Sequence, residues 1–205
     1  MANEKKSVIA FFDFDGTITY GDTFRHFLRF SVGWPRFIFN MLTVSPYLLL
    51  YLLNIVSRQK VKEKVISRFY QKMLYCDLKV KADAFVDSEL DQHLRPEALR
   101  RIAWHQKQGH RCILVSASPE VYLNIWAKNK GFSDILATRL ALTKHGSILG
   151  EIKGKNCWGP EKVSRIEELL GSRKEFVFYA YGDSKGDKEM LSIADYPFYR
   201  HMPKD

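Results

Sequence analysis

The amino-acid sequence predicts an α/β protein, a doubly wound parallel sheet (Rossmann-like) with a helical block inserted after its first strand. Three observations carry that expectation. Short, nearly continuous apolar runs occur at Ser7 to Phe14, Cys112 to Val115 and Phe176 to Tyr181, as strands buried on both faces require. Helical patterns alternate with them, Pro96 to Gln108 closed by Gly109 and Pro119 to Lys130 closed by Gly131. Proline in the first turn and glycine just past the end are the expected punctuation. Finally, Thr23 to His93 shows helical periodicity, no clear strand and few glycines.

Taken in order, residues 1–22 and 94–205 form the expected α/β core, and residues 23–93 a helical cap. Within that cap Phe37 to Val56 is strongly apolar, and its 20 residues are about the length that spans a bilayer. Asn40, Ser45, Pro46 and Asn54 interrupt it, and Ser45-Pro46 reads as an N-cap with a first-turn proline, which predicts two shorter segments. A spanning helix, a membrane-surface or lipid-contacting helix, a buried cap helix and a dimer interface all stay open. Arg36, Arg58, Lys60, Lys62 and Lys64 flank the stretch, as an interfacial segment or ordinary helix ends both allow. Thr138 to Thr143 and Ser147 to Ile152, joined by Lys144-His145-Gly146, predict a β-hairpin.

Composition narrows the class. The chain has 205 residues, 46% hydrophobic and 27% charged, which excludes a disordered protein and allows one well-buried core. A net charge of +9 favours anionic partners, or else a solvated basic face. No nucleic-acid motif accompanies that charge, so nucleic acid is not expected as a partner. Cys76, Cys112 and Cys157 are odd in number and widely spaced, which argues against a disulfide framework or zinc site and fits a reducing compartment. Met1 to Lys6 leads straight into a strand-like run without the features of a secretory signal. The expected location is cytoplasmic, with the inner face of a membrane as the alternative.

The chemistry is expected at the strand ends, where ligands bind in open α/β sheets. Asp13-Phe14-Asp15-Gly16-Thr17 follows the first strand. Carboxylates there are costly unless paired or metal-bound. Alternation sets Asp13 and Asp15 on one side of the extended chain, so one can attack while the other handles protons. The plain alternative is a strand-ending Asx turn. Ser116 follows the second strand, and Gly182-Asp183-Ser184-Lys185-Gly186-Asp187 the third. With Asp13, the latter acids can bind a hard cation, and Mg²⁺ suits a site with few carboxylates and a substrate phosphate. The alternative is a polar loop.

Four pieces in order resemble the motifs of haloacid dehalogenase superfamily phosphatases: Asp13 to Thr17; Val115-Ser116-Ala117-Ser118; Lys162 in Gly159-Pro160-Glu161-Lys162-Val163; and Gly182 to Asp187. The resemblance covers most of the chain. The helical insert after the first motif and the hairpin before the lysine resemble the branch containing phosphoserine phosphatase (subfamily IB). It implies Asp13 as nucleophile, forming an aspartyl-phosphate, and Asp15 as general acid/base. It implies Mg²⁺ held by Asp13, the Asp15 backbone carbonyl and Asp183, with Asp187 as a further ligand or orienting group. Thr17, Ser116, Ala117 and Lys162 are the implied phosphate contacts. Having Asp at position 15 favours a phosphatase, because a dehalogenase needs no acid for an alkoxide leaving group.

Lys155 competes with Lys162 for the phosphate role; Lys162 is preferred because it opens a helix ending near Leu170-Gly171, where the family carries its lysine. Asp22, Thr23 and Arg25 lie where such caps contact substrate, or else begin a cap helix as surface residues. The expected substrate is a small or lipid-linked phosphomonoester. A phosphoserine-type metabolite is one candidate. A lipid phosphate is the other, because the apolar cap with basic flanks resembles bacterial phosphatidylglycerophosphate phosphatases. A non-catalytic membrane-interaction module keeping the fold is the third reading.

Overall fold

The computed structural model describes residues 7–171 and 175–203. Met1 to Lys6, read above for a signal, lie outside them. β1 (Ser7–Phe12) is the centre of a five-stranded sheet, flanked by β2 (Arg111–Pro119) and β3 (Asp134–Thr138) on one side. β6 (Phe176–Gly182) and β7 (Tyr196–Tyr199) lie on the other, and every pairing is parallel. Successive residues of a strand face opposite ways. Ala10, Phe12, Cys112 and Leu114 enter one core, and Ile9, Phe11, Ile113 and Val115 enter another. Helices α5 (Pro96–Lys107) and α6 (Glu120–Asn129) cover the first core, and α7 (Pro160–Leu170) and α8 (Lys188–Ser192) the second. Burial on both faces is why these strands read as unbroken apolar runs. The strand order reverses at β1, so the carboxyl ends of β1 and β6 form the switch point where open α/β sheets bind ligands.

Several boundaries differ from the sequence reading. β3 and β7 carry no such run: β7 is an edge strand holding Pro197, mostly exposed, and an edge needs burial on neither face. β2 runs on to Pro119 with a register shift after Ser116, so Pro119 precedes α6 as its N-cap and does not open it. The hairpin is β4 (Leu140–Leu142) and β5 (Ile148–Ile152), antiparallel and shorter than its pattern.

Between β1 and α5 the chain forms α1 (Thr23–Val32), α2 (Trp34–Leu52), α3 (Arg58–Tyr70) and α4 (Tyr75–Ser88), then a 3₁₀ turn at Leu90–His93. It leaves and returns side by side. Tyr20 N–H donates to the His93 carbonyl at 2.9 Å, and Arg95 N–H to that of Ile18 at 2.8 Å. Helix α3 packs on the hairpin closely enough that a Cβ on Gly150 would lie 2.8 Å from Ser67 Cα.

The expected break at Ser45-Pro46 is overturned: α2 runs unbroken through Pro46. Proline withholds the amide that would bond the Leu42 carbonyl. The Ser45 hydroxyl supplies the missing donor, reaching the Leu42 carbonyl at 2.8 Å, so the helix continues. No helix among the described residues is long and apolar enough to cross a membrane, which removes the spanning alternative for these residues. Cys76, Cys112 and Cys157 are all free thiols, and Cys112 is core.

Candidate active site

Asp13 is the first residue past β1, and its amide donates to the Tyr181 carbonyl at 2.9 Å, extending the pairing with β6 by one step. Its side chain is 8% exposed. Lys162, in the first turn of α7 and 1% exposed, donates to Asp13 Oδ1 at 2.6 Å, to Asp187 Oδ1 at 2.6 Å and to the Val115 carbonyl at 2.7 Å. An ammonium has three N–H bonds, so all of them are spent. Asp187 accepts at its other oxygen from the Ser184 hydroxyl at 2.7 Å and the Ser184 amide at 3.0 Å. Thr17, buried, turns its hydroxyl to Asp13 and Asp183, 3.3 Å from each. Gly16 has φ +85°, and a side chain there would collide with the Asp183 carboxylate.

Asp13, Asp183 and Asp187 each present an oxygen to one point, all within 4.8 Å of one another. Lys162 pairs with Asp13 and Asp187, so among the described residues three carboxyl groups meet one ammonium. The charges respond accordingly. Burial pushes the Asp13 carboxyl up to about 7 against the pull of Lys162. Burial and Asp187 raise Asp183. Burial also works against Asp187, but Lys162 and Ser184 outweigh it and hold that carboxyl below its usual range. For Lys162 burial is outweighed by Asp13 and Asp187, which raise it. An excess of oxygen donors with no nitrogen or sulfur among them fits a hard divalent cation such as Mg²⁺.

Asp15 is held apart from this cluster. Its Oδ1 accepts from the Thr23 amide at 2.7 Å and the Thr23 hydroxyl at 2.6 Å, and its Oδ2 from the Ser118 hydroxyl. Burial, with Asp22 second, pushes its carboxyl up to about 6. Ser116 is buried, and its hydroxyl oxygen takes the Ser118 amide at 3.1 Å. A cavity of about 380 Å³ opens over these groups, lined by Asp13, Asp15, Ser116, Ala117, Lys162 and Asp183 among others. Asp22 caps α1 by accepting the Phe24 and Arg25 amides, and also borders the cavity. Lys155 is exposed and does not line it.

The sequence reading missed Lys62. From α3 it reaches the Ala117 carbonyl at 2.7 Å and Asn156 Oδ1 at 2.9 Å, and burial lowers its ammonium to about 8. Arg58, one turn earlier, lines the same cavity. Both stand among the flanking basic residues, and no sequence spacing marks them, because only the packing of α3 brings them in.

The haloacid dehalogenase-like hydrolase family matches residues 10–192. The chain belongs to that family. Among its relatives is protein CicA of Caulobacter vibrioides, 35% identical over 189 residues, 92% of this chain and 84% of the relative. A protein of unknown function from Bordetella pertussis Tohama I has the same fold, with TM-score 0.79, 20% identity, and 92% and 87% of the two chains covered. Phosphoserine phosphatase from T. onnurineus aligns with TM-score 0.59 and 19% identity over 100% of this chain and 93% of its own. This haloacid dehalogenase-like hydrolase thus shares its fold with the phosphoserine phosphatase branch, and phosphatases stand among its neighbours.

The geometry gives the acid cluster a direct test. In the metal-free protein, a folded-state carboxyl pKa above the unfolded value means that the folded state binds more protons between about pH 4 and pH 7, so ionisation there costs stability. A bound Mg²⁺ favours the ionised form. Its addition is therefore expected to raise the thermal midpoint more near pH 8 than near pH 5; a hundredfold excess over the Kd at pH 8 adds about 2.7 kcal/mol of stability there. Differential scanning fluorimetry with Mg²⁺ against EDTA reads this; an equal shift at both pH values contradicts it.

Proposed function

We propose that the chain is a magnesium-dependent phosphomonoester hydrolase, with α1 to α4 as a cap over the α/β core. The observation that carries the reading is the buried Asp13 carboxylate, bonded to Lys162 at 2.6 Å and facing a cavity that also holds Ser116 and Asp183. Asp13, Asp183 and the Asp15 backbone carbonyl would hold Mg²⁺, with Asp187 orienting Lys162. When bound, the ion supplies positive charge to the phosphoryl group.

An Asp13 carboxylate oxygen attacks phosphorus, the ester P–O bond breaks, and Asp15 gives its proton to the leaving alkoxide. A carboxyl raised to about 6 can still hold that proton near neutrality. Asp15 then takes a proton from water, whose oxygen attacks phosphorus, releasing phosphate and restoring the Asp13 carboxylate. As Asp13 becomes an acyl phosphate it loses its charge and its hold on Lys162, which frees an N–H for a phosphoryl oxygen. The hydroxyl of Ser116 and the loop at Ala117 complete the phosphate contacts; Thr17 serves by orienting Asp13 and Asp183.

The test is phosphate release from p-nitrophenyl phosphate with Mg²⁺ and with EDTA, beside mass spectrometry of Asp15→Asn. Without its acid/base the second step stalls, so this variant is expected to accumulate a protein 80 Da heavier, at a turnover lower by about 10²–10⁴-fold. Mg²⁺-independent hydrolysis by the wild type contradicts the reading.

A further inference from the structure

We infer that the outward face of α2 docks on an anionic lipid bilayer, and that the groove beneath it leads the apolar chain of a lipid-linked phosphomonoester to Asp13. This rests on the phosphatase reading of the cavity. Helix α2 is mostly apolar, with Arg36, Asn40, Thr43 and Ser45 as its polar residues, yet the fold buries one stripe of it, that of Phe37, Asn40 and Val44. Ile38, Leu42, Leu49 and Leu52 share the opposite side, and Leu42 and Leu52 are 65% and 73% exposed. A helix with that pattern is normally buried, and an apolar patch left open marks a surface meant to be covered.

What covers it follows from charge. Between Asp22 and Glu63 the chain holds no acidic residue and six basic ones; Lys62 turns into the Asp13 cavity and Arg29 pairs with Glu89 at 3.1 Å, which leaves Arg25, Arg36, Arg58 and Lys60. Cations from α3 also sit on the aromatic rings of α2: Arg68 lies 5.1 Å from the Phe39 ring and Lys64 4.8 Å from that of Tyr47. An apolar face rimmed by cations and aromatics suits the headgroup boundary of an anionic bilayer. A second copy would set two such basic rims against each other across a twofold axis, where they repel.

The substrate follows from continuity. A groove of about 290 Å³ runs among α1, α2 and α3, with Leu28, Met41, Leu48, Val61 and Val65 as its apolar lining. Asp22, Phe24, Arg58 and Lys62 line both this groove and the Asp13 cavity, so the two spaces adjoin. Arg58 and Lys62 are four residues apart on α3, and neither forms an ion pair among the described residues. They make a cationic collar where a phosphorylated headgroup meets its chain.

Two arms test this on the full chain. Vesicles of phosphatidylcholine alone and with added phosphatidylglycerol are sedimented with wild type and with Leu42→Ser/Leu49→Ser/Leu52→Ser, whose fold is checked by circular dichroism and thermal midpoint. Wild type is expected to follow the anionic vesicles, and the folded variant to lose roughly tenfold or more of that partition. In the second arm, kcat/KM for lysophosphatidic acid is expected to exceed that for glycerol 3-phosphate by at least about tenfold, as one buried chain provides. Wild type staying in the supernatant, or a dimer in sedimentation equilibrium that the triple variant dissociates, overturns the docking. Equal hydrolysis of the two esters overturns the groove assignment. Absence of Mg²⁺-dependent hydrolysis of any ester, p-nitrophenyl phosphate included, counts against the phosphatase reading, while the vesicle arm still decides the docking.

Discussion

Lys162→Met is expected to lower the rate of phosphate release by about 10³-fold or more and to destabilise the folded protein by about 3–5 kcal/mol. Methionine keeps the length and apolar stem of the side chain, so little packing is lost. What goes is the ammonium that accepts the charge of Asp13 and Asp187, both within 2.6 Å, and that satisfies the Val115 carbonyl. With three carboxylates converging and no cation touching them, the metal-free fold has to protonate or repel. Mg²⁺ is expected to restore most of the lost stability, because it replaces the missing charge. It is not expected to restore the rate, because the ammonium proposed to bind the phosphoryl oxygens is still absent. Denaturant melts with and without Mg²⁺, set beside kcat, read the two effects separately. A variant as stable as wild type in EDTA contradicts the charge balance derived from the structure.

Asp13→Asn has the opposite signature on stability. Because the proposed mechanism uses Asp13 as nucleophile, its removal is expected to cut phosphate release by about 10⁴–10⁶-fold. The same change removes a carboxylate whose ionisation burial opposes, and leaves Lys162 paired with Asp187 alone. Near pH 8 in EDTA the variant is therefore expected to melt at or above the wild-type temperature, by up to a few kcal/mol of stability. It is also expected to lose most of the stabilisation by Mg²⁺, since one of the proposed ligands is gone. This is the trade that an active site makes, holding charge where function needs it at a cost in stability. Retained hydrolysis would identify another nucleophile. A large fall in melting temperature would mean that the Asp13–Lys162 pair holds the fold together more than its burial costs.

Much of this was legible in the linear chain. β1, β2 and β6 show as apolar runs because each is buried on both faces, and their polar ends mark the site because carboxylates rarely sit there idle. The helical character of residues 23–93 is equally plain. Less legible were β3 and β7, too short or too exposed to leave a run, and the course of α2 through Pro46. Proline breaks a helix by lacking an amide wherever it stands, whereas the Ser45 hydroxyl that replaces that donor at the Leu42 carbonyl is a particular contact.

The division has a physical reason. Local sequence determined what depends on period and on residue type: the α/β class, the strand-end position of Asp13, Asp15, Ser116 and Asp183, and the family motifs. The tertiary structure alone decided what depends on distance between remote residues. It brought Lys162 to Asp13 across 149 positions and turned Asp15 to Thr23 and Ser118. It also carried Lys62 from a basic flank to the Ala117 carbonyl and left one side of α2 bare. Periodicity can say that a helix has an apolar face, but only packing decides which face finds a partner.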